Sequence, residues 1–354
     1  MNELESFFHD SNTIDAFLIS KRENILYLTG FQGSFGYALV LKSGETFLIT
    51  DSRYREVAQN LAKISSFEFV LFDKNFAETI REKIPKDCQK IAMEDSATLS
   101  QKKYWDDVFP KKEIVPHTKI IEKIREIKNT NELQKIQKAC DRLNEIFDDV
   151  DFFRGILTAG VTEKAAAFAL ETKLRDGGTY ELSFDIIVAF GENSALPHHF
   201  PGDRKLKNGD NILIDCGVKI DNYCSDMTRN FVLGKPSDEY VGYFEKLLKA
   251  QKATIKEFEI GKKLIDADLF CREILGDYAK LFTHSLGHGV GMEVHELPNF
   301  SPKESAIFAQ NHVITCEPGI YIPGKFGIRI EDQIVITKDG PEILTKTSKE
   351  LIIL

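Results

Sequence analysis

The sequence lacks the paired cysteines that mark several small metal and redox sites. Its six cysteines are scattered along the chain, and no C-x-x-C pair occurs among them. This spacing excludes the zinc-ribbon and thioredoxin classes, because both need closely paired thiols. In a reducing compartment we expect free thiols at all six positions, which are Cys88, Cys140, Cys216, Cys224, Cys271 and Cys316.

Long basic blocks and long apolar runs are also missing. The formal net charge is −9, from 46 Lys and Arg against 55 Asp and Glu, and no basic cluster could follow a phosphate backbone. Nucleic acid is therefore not expected as a partner. The first residues show no secretory signal pattern, and no apolar run reaches the roughly 18–20 residues that span a bilayer. We expect a cytoplasmic protein without a membrane partner.

The length and composition are those of an ordinary globular protein with two domains. The chain has 354 residues, of which 42% are apolar and 29% are charged. In the first part, short apolar runs alternate with amphipathic and turn-rich segments, which predicts a mixed sheet covered by helices. We therefore predict a smaller mixed α/β domain over residues 1–122 and a larger domain over residues 123–354.

Helical patterns dominate the start of the larger domain. Asn129 and Glu132 have the spacing of a capping box, which predicts the start of a helix over about residues 130–153. Two further helices are predicted near residues 162–176 and 238–258, with strand-like apolar runs among the helices. The mixture of helices and strands indicates the α+β class.

Two aspartates flank a predicted hairpin turn in residues 211–233. The segment has the pattern of a strand, a turn around Asp221 and a second strand. Asp215 and Asp226 are nearly equidistant from this turn, so direct opposition would put their Cβ atoms about 4.5–5.5 Å apart. Like charges so close on an apolar strand repel each other and lose solvation, so a bound cation or a shared proton must offset the repulsion.

A second pair of carboxylates flanks another predicted hairpin turn. In residues 312–337 the turn centres near Pro323 and Gly324, and Glu317 and Glu331 are equidistant from its centre. Two such pairs in one domain favour a metal site over two solvated sheet edges.

Histidines add a further kind of ligand to these carboxylates. Three of them lie within twelve residues, at His284, His288 and His295, and two more are adjacent, at His198 and His199. Carboxylate and imidazole ligands suit two divalent ions, for which we expect Mn²⁺ first and Co²⁺ or Zn²⁺ as alternatives. Two ions about 3.5–4 Å apart can activate water and polarise a carbonyl group, which indicates hydrolysis.

The order of these ligands resembles that of the M24 metallopeptidases, which include methionine aminopeptidase, aminopeptidase P and prolidase. The shared positions are Asp215, Asp226, His288 in GHGVG, Glu317 in CEPG and Glu331 in RIED. Creatinase has the same fold without the complete metal set, whereas all five ligands are present here. The resemblance therefore implies a peptidase.

The first part of the chain carries the same resemblance. Its motifs NILYLTGF and TDSRYREVA are similar to the creatinase-type N-terminal domain of these proteins. The resemblance implies a creatinase-like domain at residues 1–122. It also implies a pita-bread domain, with an antiparallel sheet and covering helices, at residues 123–354. Such proteins are often homodimers, and we expect a homodimer here.

The resemblance also implies individual roles for the ligands. It makes Asp215 a chelating ligand of one ion, Asp226 and Glu331 bridging ligands, and His288 and Glu317 ligands that complete the other ion's shell. Glu317 is in addition the candidate general base, because a carboxylate beside the activated water can accept its proton.

Further histidines and one arginine match positions around the metals. The resemblance implies that His198 binds substrate and that His295 contacts the scissile carbonyl group. His284 could be structural or functional, and the orientation of His199 is left open. Arg329 precedes Glu331 by two residues, so on a strand both side chains point to one face. Its fork of donors could hold carboxylates in place, and R-I-E-D is the pattern of the proline-directed branch.

Three functions remain open at this point. The leading hypothesis is an Xaa-Pro aminopeptidase, which removes the first residue of a peptide whose second residue is proline. The alternative is an Xaa-Pro dipeptidase, or prolidase, which must also recognise the terminal carboxylate of a dipeptide. A catalytically inactive binding protein on the same fold is a third possibility. We find no cation for a terminal carboxylate in the motifs, since Arg329 is assigned to the metal ligands.

Overall fold

The computed structural model of the chain describes residues 3–10, 14–72, 75–301, 303 and 305–354. The chain divides into two compact units, Met1–Arg125 and Glu126–Leu354. None of the helices in these residues combines the length and the apolar character that crossing a bilayer requires.

The first unit is built on a mixed sheet with helices. Its helices are α1 (Glu3–Asp10), α2 (Arg22–Thr29), α3 (Arg55–Ala62), α4 (Phe76–Lys83), α5 (Leu99–Val108) and α6 (Ile120–Glu126). Its strands are β1 (Ala16–Ile19), β2 (Tyr37–Leu41), β3 (Thr46–Thr50), β4 (Glu68–Leu71), β5 (Lys90–Glu94) and β6 (Glu113–His117). They form one sheet in the order β4-β3-β2-β1-β5-β6, in which β1 is antiparallel to β2 and parallel to β5.

Both faces of this sheet are buried. Ala16 and Leu18 of β1 belong to one apolar cluster, whereas Phe17 and Ile19 belong to another. Because successive side chains of a strand point to opposite faces, the sheet has a core on each side. The predicted mixed sheet with covering helices is therefore present.

The second unit contains the longer helices and most of the strands. Its helices are α7 (Thr130–Asp148), α8 (Val150–Ile156), α9 (Glu163–Arg175), α10 (Asp238–Ile255) and α11 (Leu264–Leu275). The strands in its first half are β7 (Glu181–Leu182), β8 (Ile187–Phe190), β9 (Asn211–Cys216), β10 (Val218–Ile220), β11 (Tyr223–Cys224) and β12 (Met227–Val232). The later strands are β13 (His288–Gly289), β14 (Glu296–Asn299), β15 (Val313–Cys316), β16 (Gly319–Ile322), β17 (Phe326–Arg329), β18 (Asp332–Thr337), β19 (Gly340–Ile343) and β20 (Ile352–Ile353).

Two helix-covered sheets form most of this unit, beside the small sheets β11-β10-β7 and β16-β17. The sheet β20-β12-β9-β8 shares one apolar cluster with α7, α8 and α9. The sheet β14-β13-β15-β18-β19 shares a second cluster with α10 and α11. Neighbouring strands are antiparallel except for β12 and β20, which run parallel. Asp215 lies in β9 of the first sheet and Asp226 directly precedes β12, whereas Glu317 directly follows β15 and Glu331 directly precedes β18 of the second sheet.

Local signals explain some helix boundaries. The capping box is confirmed, because Asn129 Oδ1 accepts from the backbone N–H of Glu132 and the Glu132 side chain accepts from that of Asn129. The predicted helix over residues 130–153 is in fact two helices, since Asp149 caps a new helix by accepting from the N–H of Phe152. Helix α11 was not predicted, and its N-cap, Lys263, makes no side-chain cap.

Candidate metal centre

The first hairpin brings Asp215 and Asp226 to one face of the sheet, but not into direct opposition. In the observed register Asp215 lies opposite Thr228. The expectation of direct pairing is wrong because the turn is centred between Asp221 and Asn222, which have φ angles of 50° and 70°. Direct opposition needs a turn centred between Ile220 and Asp221, and the observed centre lies one position further along the chain, which moves the partner of Asp215 by two residues. Asp226 is two residues from Thr228, so it is a diagonal neighbour of Asp215 on the same face.

A glycine lies where the chain beside these aspartates passes from one sheet to another, between β9 and β10. A Cβ atom at Gly217 would lie 2.0 Å from the backbone oxygen of Ser225, so no other residue fits without displacement. The backbone N–H of Ser225 donates to the carbonyl of Val218 at 3.0 Å, directly after this position. The passage between the two sheets therefore depends on close backbone contact.

The second hairpin has the register that its spacing predicts. Cys316 pairs with Asp332 and Gly319 pairs with Arg329, on the two sides of Glu317 and Glu331. Both pairs have the same register, and in this register Glu317 lies opposite Glu331.

His288 is supplied by the short strand β13. Its backbone N–H donates to Oγ1 of Thr315 at 3.1 Å, and its Nδ1 lies 3.1 Å from the carbonyl oxygen of Gly289. A proton on Nδ1 satisfies that carbonyl and leaves Nε2 as the atom that can bind a metal. Nε2 lies 3.1 Å from Oε1 of Glu317 and 3.6 Å from Oδ2 of Asp226.

The donor atoms of these segments converge. One potential ligand atom from each of Asp226, His288 and Glu331 lies within 4.8 Å of the others. Asp215 Oδ1 is buried and has no hydrogen-bond partner among the described residues. An unpaired carboxylate oxygen beside a cluster of carboxylate and imidazole donors has the chemistry of a divalent cation site. The residues present therefore fit the metal that the sequence implies.

The carboxylates of this cluster repel one another. Burial raises the pKa of Asp226 and Glu331 well above the usual range, and the charges of neighbouring carboxylates raise both further. Burial also raises the pKa of Asp215, although Arg329 acts in the opposite direction. Burial opposes ionisation of Glu317 too, but the hydrogen bond and charge of His288 outweigh it and lower the pKa to about 2. Cations would take the place of the protons that otherwise relieve this repulsion.

Arg329 is a buried part of the centre and not a surface cation. It is 3% exposed, and its Nη2 lies 2.6 Å from Oδ2 of Asp215. Its Nε donates to Oγ1 of Thr228 at 3.1 Å, and its Nη1 donates to the Tyr321 hydroxyl at 2.9 Å and the Pro197 carbonyl at 3.2 Å. One rigid fork of donors thus connects a carboxylate, two hydroxyl groups and a loop.

Two of these partners were missed in the sequence. Thr228 donates to Oε2 of Glu331 at 2.7 Å while it accepts from Arg329. The signal was available, because Thr228 follows Asp226 by two residues on a strand and so shares its face. Tyr321 Oη lies 2.9 Å from Nε2 of His284, so His284 is connected to Arg329 through this hydroxyl. No sequence pattern indicated Tyr321.

A cavity of about 790 Å³ opens onto the centre. Its wall contains all of the predicted site residues, namely His198, Asp215, Asp226, His288, His295, Glu317, Arg329 and Glu331. The His295 ring lies 4.2 Å from the His288 ring, and His198 is exposed. The His199 ring lies in the same wall, and its Nε2 is 2.8 Å from Oε2 of Glu163.

Apolar side chains make up another part of the same wall, and they are Phe184, Ile186, Ile187, Phe200, Val294 and Phe300. The candidate metal centre therefore lies beside a surface that can bind an apolar group.

Family comparisons agree with this geometry. Residues 134–338 match the model of metallopeptidase family M24, and residues 5–127 match the creatinase/prolidase N-terminal domain. The chain belongs to metallopeptidase family M24. It is therefore a peptidase of the hydrolase class whose family depends on divalent metal ions, and the predicted family and fold class are confirmed. The second unit has the pita-bread fold of this family.

Individual M24 relatives are similar over nearly the full length. The Xaa-Pro dipeptidase of Pyrococcus furiosus is 33% identical over 349 residues, which cover 98% of this chain and 97% of that protein. The solved Xaa-Pro dipeptidase of Bacillus anthracis has a TM-score of 0.92 at 33% identity and covers 99% of this chain and 98% of its own. The X-Pro aminopeptidase of Thermotoga maritima has a TM-score of 0.87 at 35% identity, and the match covers 96% of this chain and 98% of that protein.

Proposed function

We propose that five residues of this peptidase hold two divalent metal ions, and they are Asp215, Asp226, His288, Glu317 and Glu331. The proposal is supported by the converging donor atoms of Asp226, His288 and Glu331 and by the unpaired Oδ1 of Asp215. Oxygen and imidazole donors favour Mn²⁺, with Co²⁺ or Zn²⁺ as alternatives. When bound, such ions supply Lewis-acid polarisation of the scissile carbonyl group and lower the pKa of water.

The chain's own residues then have distinct tasks. The Glu317 carboxylate lies in the cavity wall and accepts the proton of the attacking water. It passes this proton to the proline nitrogen as the peptide bond breaks. Arg329 holds Asp215 and Thr228 in place through its buried guanidinium group.

Two histidines act on the substrate in this proposal. His198 and His295 line the cavity. From there each can donate to the substrate as negative charge develops on the oxygen of the scissile carbonyl group.

The proposed substrate is an Xaa-Pro dipeptide. Full-length similarity to Xaa-Pro dipeptidases carries this assignment, and it favours our alternative over the aminopeptidase that the sequence suggested first. The apolar wall near Phe184 and Ile187 suits a proline ring, whose nitrogen carries no hydrogen in a peptide.

A specific observation supports the Xaa-Pro aminopeptidase as second candidate. Within the described part of the chain, Arg329 is the one Lys or Arg that lines the cavity, and its donors bind Asp215, Thr228, Tyr321 and Pro197. A dipeptidase needs a group that recognises the terminal carboxylate, whereas an aminopeptidase can leave that end open. Similarity to the Thermotoga maritima enzyme is consistent with this alternative.

Three peptides separate these functions. The values of kcat/KM for Ala-Pro, Ala-Pro-Ala and Ala-Ala should be measured with the metal-loaded enzyme. For a dipeptidase we expect Ala-Pro to be preferred over Ala-Pro-Ala by about ten-fold or more, which corresponds to about 1.4 kcal/mol. Equal or faster cleavage of Ala-Pro-Ala would favour the aminopeptidase. Rapid cleavage of Ala-Ala would remove the proline requirement. The homodimer and the cytoplasmic location stay predictions.

A further inference from the structure

A carboxylate outside the proposed metal ligands is buried behind the cavity wall. Glu163 is fully buried, and four donors converge on its side chain. Oε1 accepts from the N–H of Phe190 at 2.9 Å and from Nδ2 of Asn193 at 3.0 Å. Oε2 accepts from the N–H of Gly202 at 2.9 Å and lies 2.8 Å from Nε2 of His199. All four donors come from one stretch of chain, residues 190–202.

The backbone around Glu163 binds the end of this stretch and the residues directly after it. Glu163 is the first residue of α9, directly after the N-cap Thr162. Its N–H donates to the carbonyl of Arg204 at 3.1 Å, and the N–H of Lys164 donates to that of Gly202 at 3.1 Å. The start of α9 therefore fixes this stretch through backbone and side chain together, and the positive end of the helix favours the carboxylate.

This stretch carries one wall of the cavity. Pro197, His198, His199 and Phe200 all line it. The Pro197 carbonyl also accepts from Nη1 of Arg329 at 3.2 Å, so the stretch is held from the metal centre as well. A shift of this wall would therefore change the shape of the cavity.

The contact with Glu163 decides which nitrogen of His199 is available. A carboxylate oxygen only accepts, so the hydrogen of this contact is on Nε2 of the ring. Glu163 is not among the residues that line the cavity, whereas His199 is. Nε2 is thus committed to a group behind the wall, and Nδ1 is the ring nitrogen left for a ligand.

We propose that Glu163 is a positioning residue for His199, and that Nδ1 of His199 hydrogen-bonds to the peptide bound in the cavity. The identity of that peptide rests on the proposed function. The contact between Glu163 and His199 does not rest on the proposed function, because it follows from the structure around the cavity.

Four variants test the pair, with E171Q as a matched control. Glu171 lies on the same helix and pairs with Arg175, away from the cavity wall. E163Q removes acceptor capacity, because a glutamine accepts at one end of its side chain only, whereas donors converge on both oxygens of Glu163. H199F keeps a ring and removes both nitrogens, whereas H199Q retains a donor for Glu163 and an acceptor for the peptide. The double variant E163Q/H199F completes a double-mutant cycle, which measures the coupling between the two residues.

Activity is measured on the metal-loaded enzymes with whichever peptide the wild type cleaves fastest. We expect E163Q and H199F each to lower kcat/KM by about 10-fold to 100-fold, mainly through KM, as for loss of a hydrogen bond to a charged or fixed partner. The double variant should lose no more than the larger single effect. H199Q should recover most of the activity, and E171Q should match the wild type. The metal content of H199F should stay unchanged.

Several results would overturn the proposal. They are an H199F variant within about two-fold of the wild type, effects that add in the double variant, or an H199Q variant no better than H199F. A lower Tm of E163Q with unchanged KM would reduce Glu163 to a purely structural role. If E163Q fails to fold, the comparison of H199F with H199Q tests whether His199 binds the peptide.

A spectroscopic measurement separates this proposal from the proposed function. The ¹⁵N chemical shifts of the His199 ring, assigned by comparison with H199Q, report which nitrogen carries the hydrogen. We expect hydrogen on Nε2 in the wild type, and hydrogen on Nδ1 alone would refute the Glu163 contact. Failure to cleave any Xaa-Pro peptide would refute the proposed function and leave this result standing.

Discussion

Nη2 of Arg329 lies 2.6 Å from Oδ2 of Asp215, while Oδ1 of the same carboxylate is buried and unpaired among the described residues. The guanidinium group therefore holds one oxygen of Asp215 and leaves the other for a cation. Because Arg329 also donates to Thr228, and Thr228 donates to Glu331, one residue orients two proposed ligands. Groups that orient ligands in this way commonly change metal affinity when they are lost.

We predict that R329K weakens metal binding. Lysine keeps the charge but cannot reach Asp215, Thr228 and the Tyr321 hydroxyl with one planar fork. Metal affinity should fall about 10-fold to 100-fold, measured by competition with a chelating dye. R154K is the control, since Arg154 pairs with Asp151 on an exposed surface. Unchanged affinity in R329K would show that the guanidinium group does not orient the ligands.

Removal of the metal should abolish activity and lower stability. The buried carboxylates at Asp226 and Glu331 repel each other without a cation, and the reaction needs activated water. Addition of Mn²⁺ or Co²⁺ to the metal-free enzyme should restore hydrolysis and raise the Tm. The gain in unfolding free energy should be about 2.7 kcal/mol at about 100 times Kd. Full hydrolysis by protein shown to be metal-free by elemental analysis would contradict the proposed centre.

H198A and H295A should affect catalysis without affecting the metals. Both side chains line the cavity, and neither belongs to the converging donor group of Asp226, His288 and Glu331. We expect kcat/KM to fall about 100-fold or more in each variant, as for loss of a donor to a developing oxyanion. Metal content is measured in parallel, and loss of metal from either variant would make that histidine a ligand.

The thiol of Cys271 should make stability depend on pH in the alkaline range. Burial raises its pKa to about 11, although a hydrogen bond with Thr254 acts in the opposite direction. An unfolded thiol titrates near pH ~8.5, so the unfolded chain releases this proton first. The protonated thiol therefore contributes fully to the free energy of unfolding below about pH 8.5. This contribution is lost as the pH rises toward the pKa of the thiol in the folded protein.

C271A isolates this effect. Unfolding free energies from urea titrations at pH 8 and pH 10.5, under reducing conditions, should differ less in C271A than in the wild type. The expected difference between the two proteins is about 2 kcal/mol, from about 1.4 kcal/mol per pH unit. An identical pH dependence in both proteins would show that this thiol does not keep its proton on folding.

Spacing along the chain was sufficient to predict those features that depend on residues close together in sequence. Glu317 and Glu331 were predicted to face each other because they are equidistant from a short turn, and the observed pairs on both sides have that register. The capping box of Asn129 and Glu132 likewise depends on residues three positions apart. The order of the proposed ligands was sufficient for the family, which a full-length match supports.

Turn geometry limited the prediction for Asp215 and Asp226. Their near-equal distances from Asp221 suggested direct opposition, but the positive φ angles of Asp221 and Asn222 shift the register and make the pair diagonal. The two aspartates still share a face, because the observed register differs from direct opposition by two residues and side chains two residues apart on a strand point to the same face.

Contacts between distant segments were decided by the tertiary structure alone. Arg329 reaches the Pro197 carbonyl across 132 residues of sequence, and the His199 ring is turned to Glu163 across 36 residues. The sequence determined which residue types were available for the proposed metal centre and where each would lie on a strand or a turn. Sheet packing and the start of α9 determined which of them meet, because these contacts depend on how whole elements pack and not on spacing along the chain.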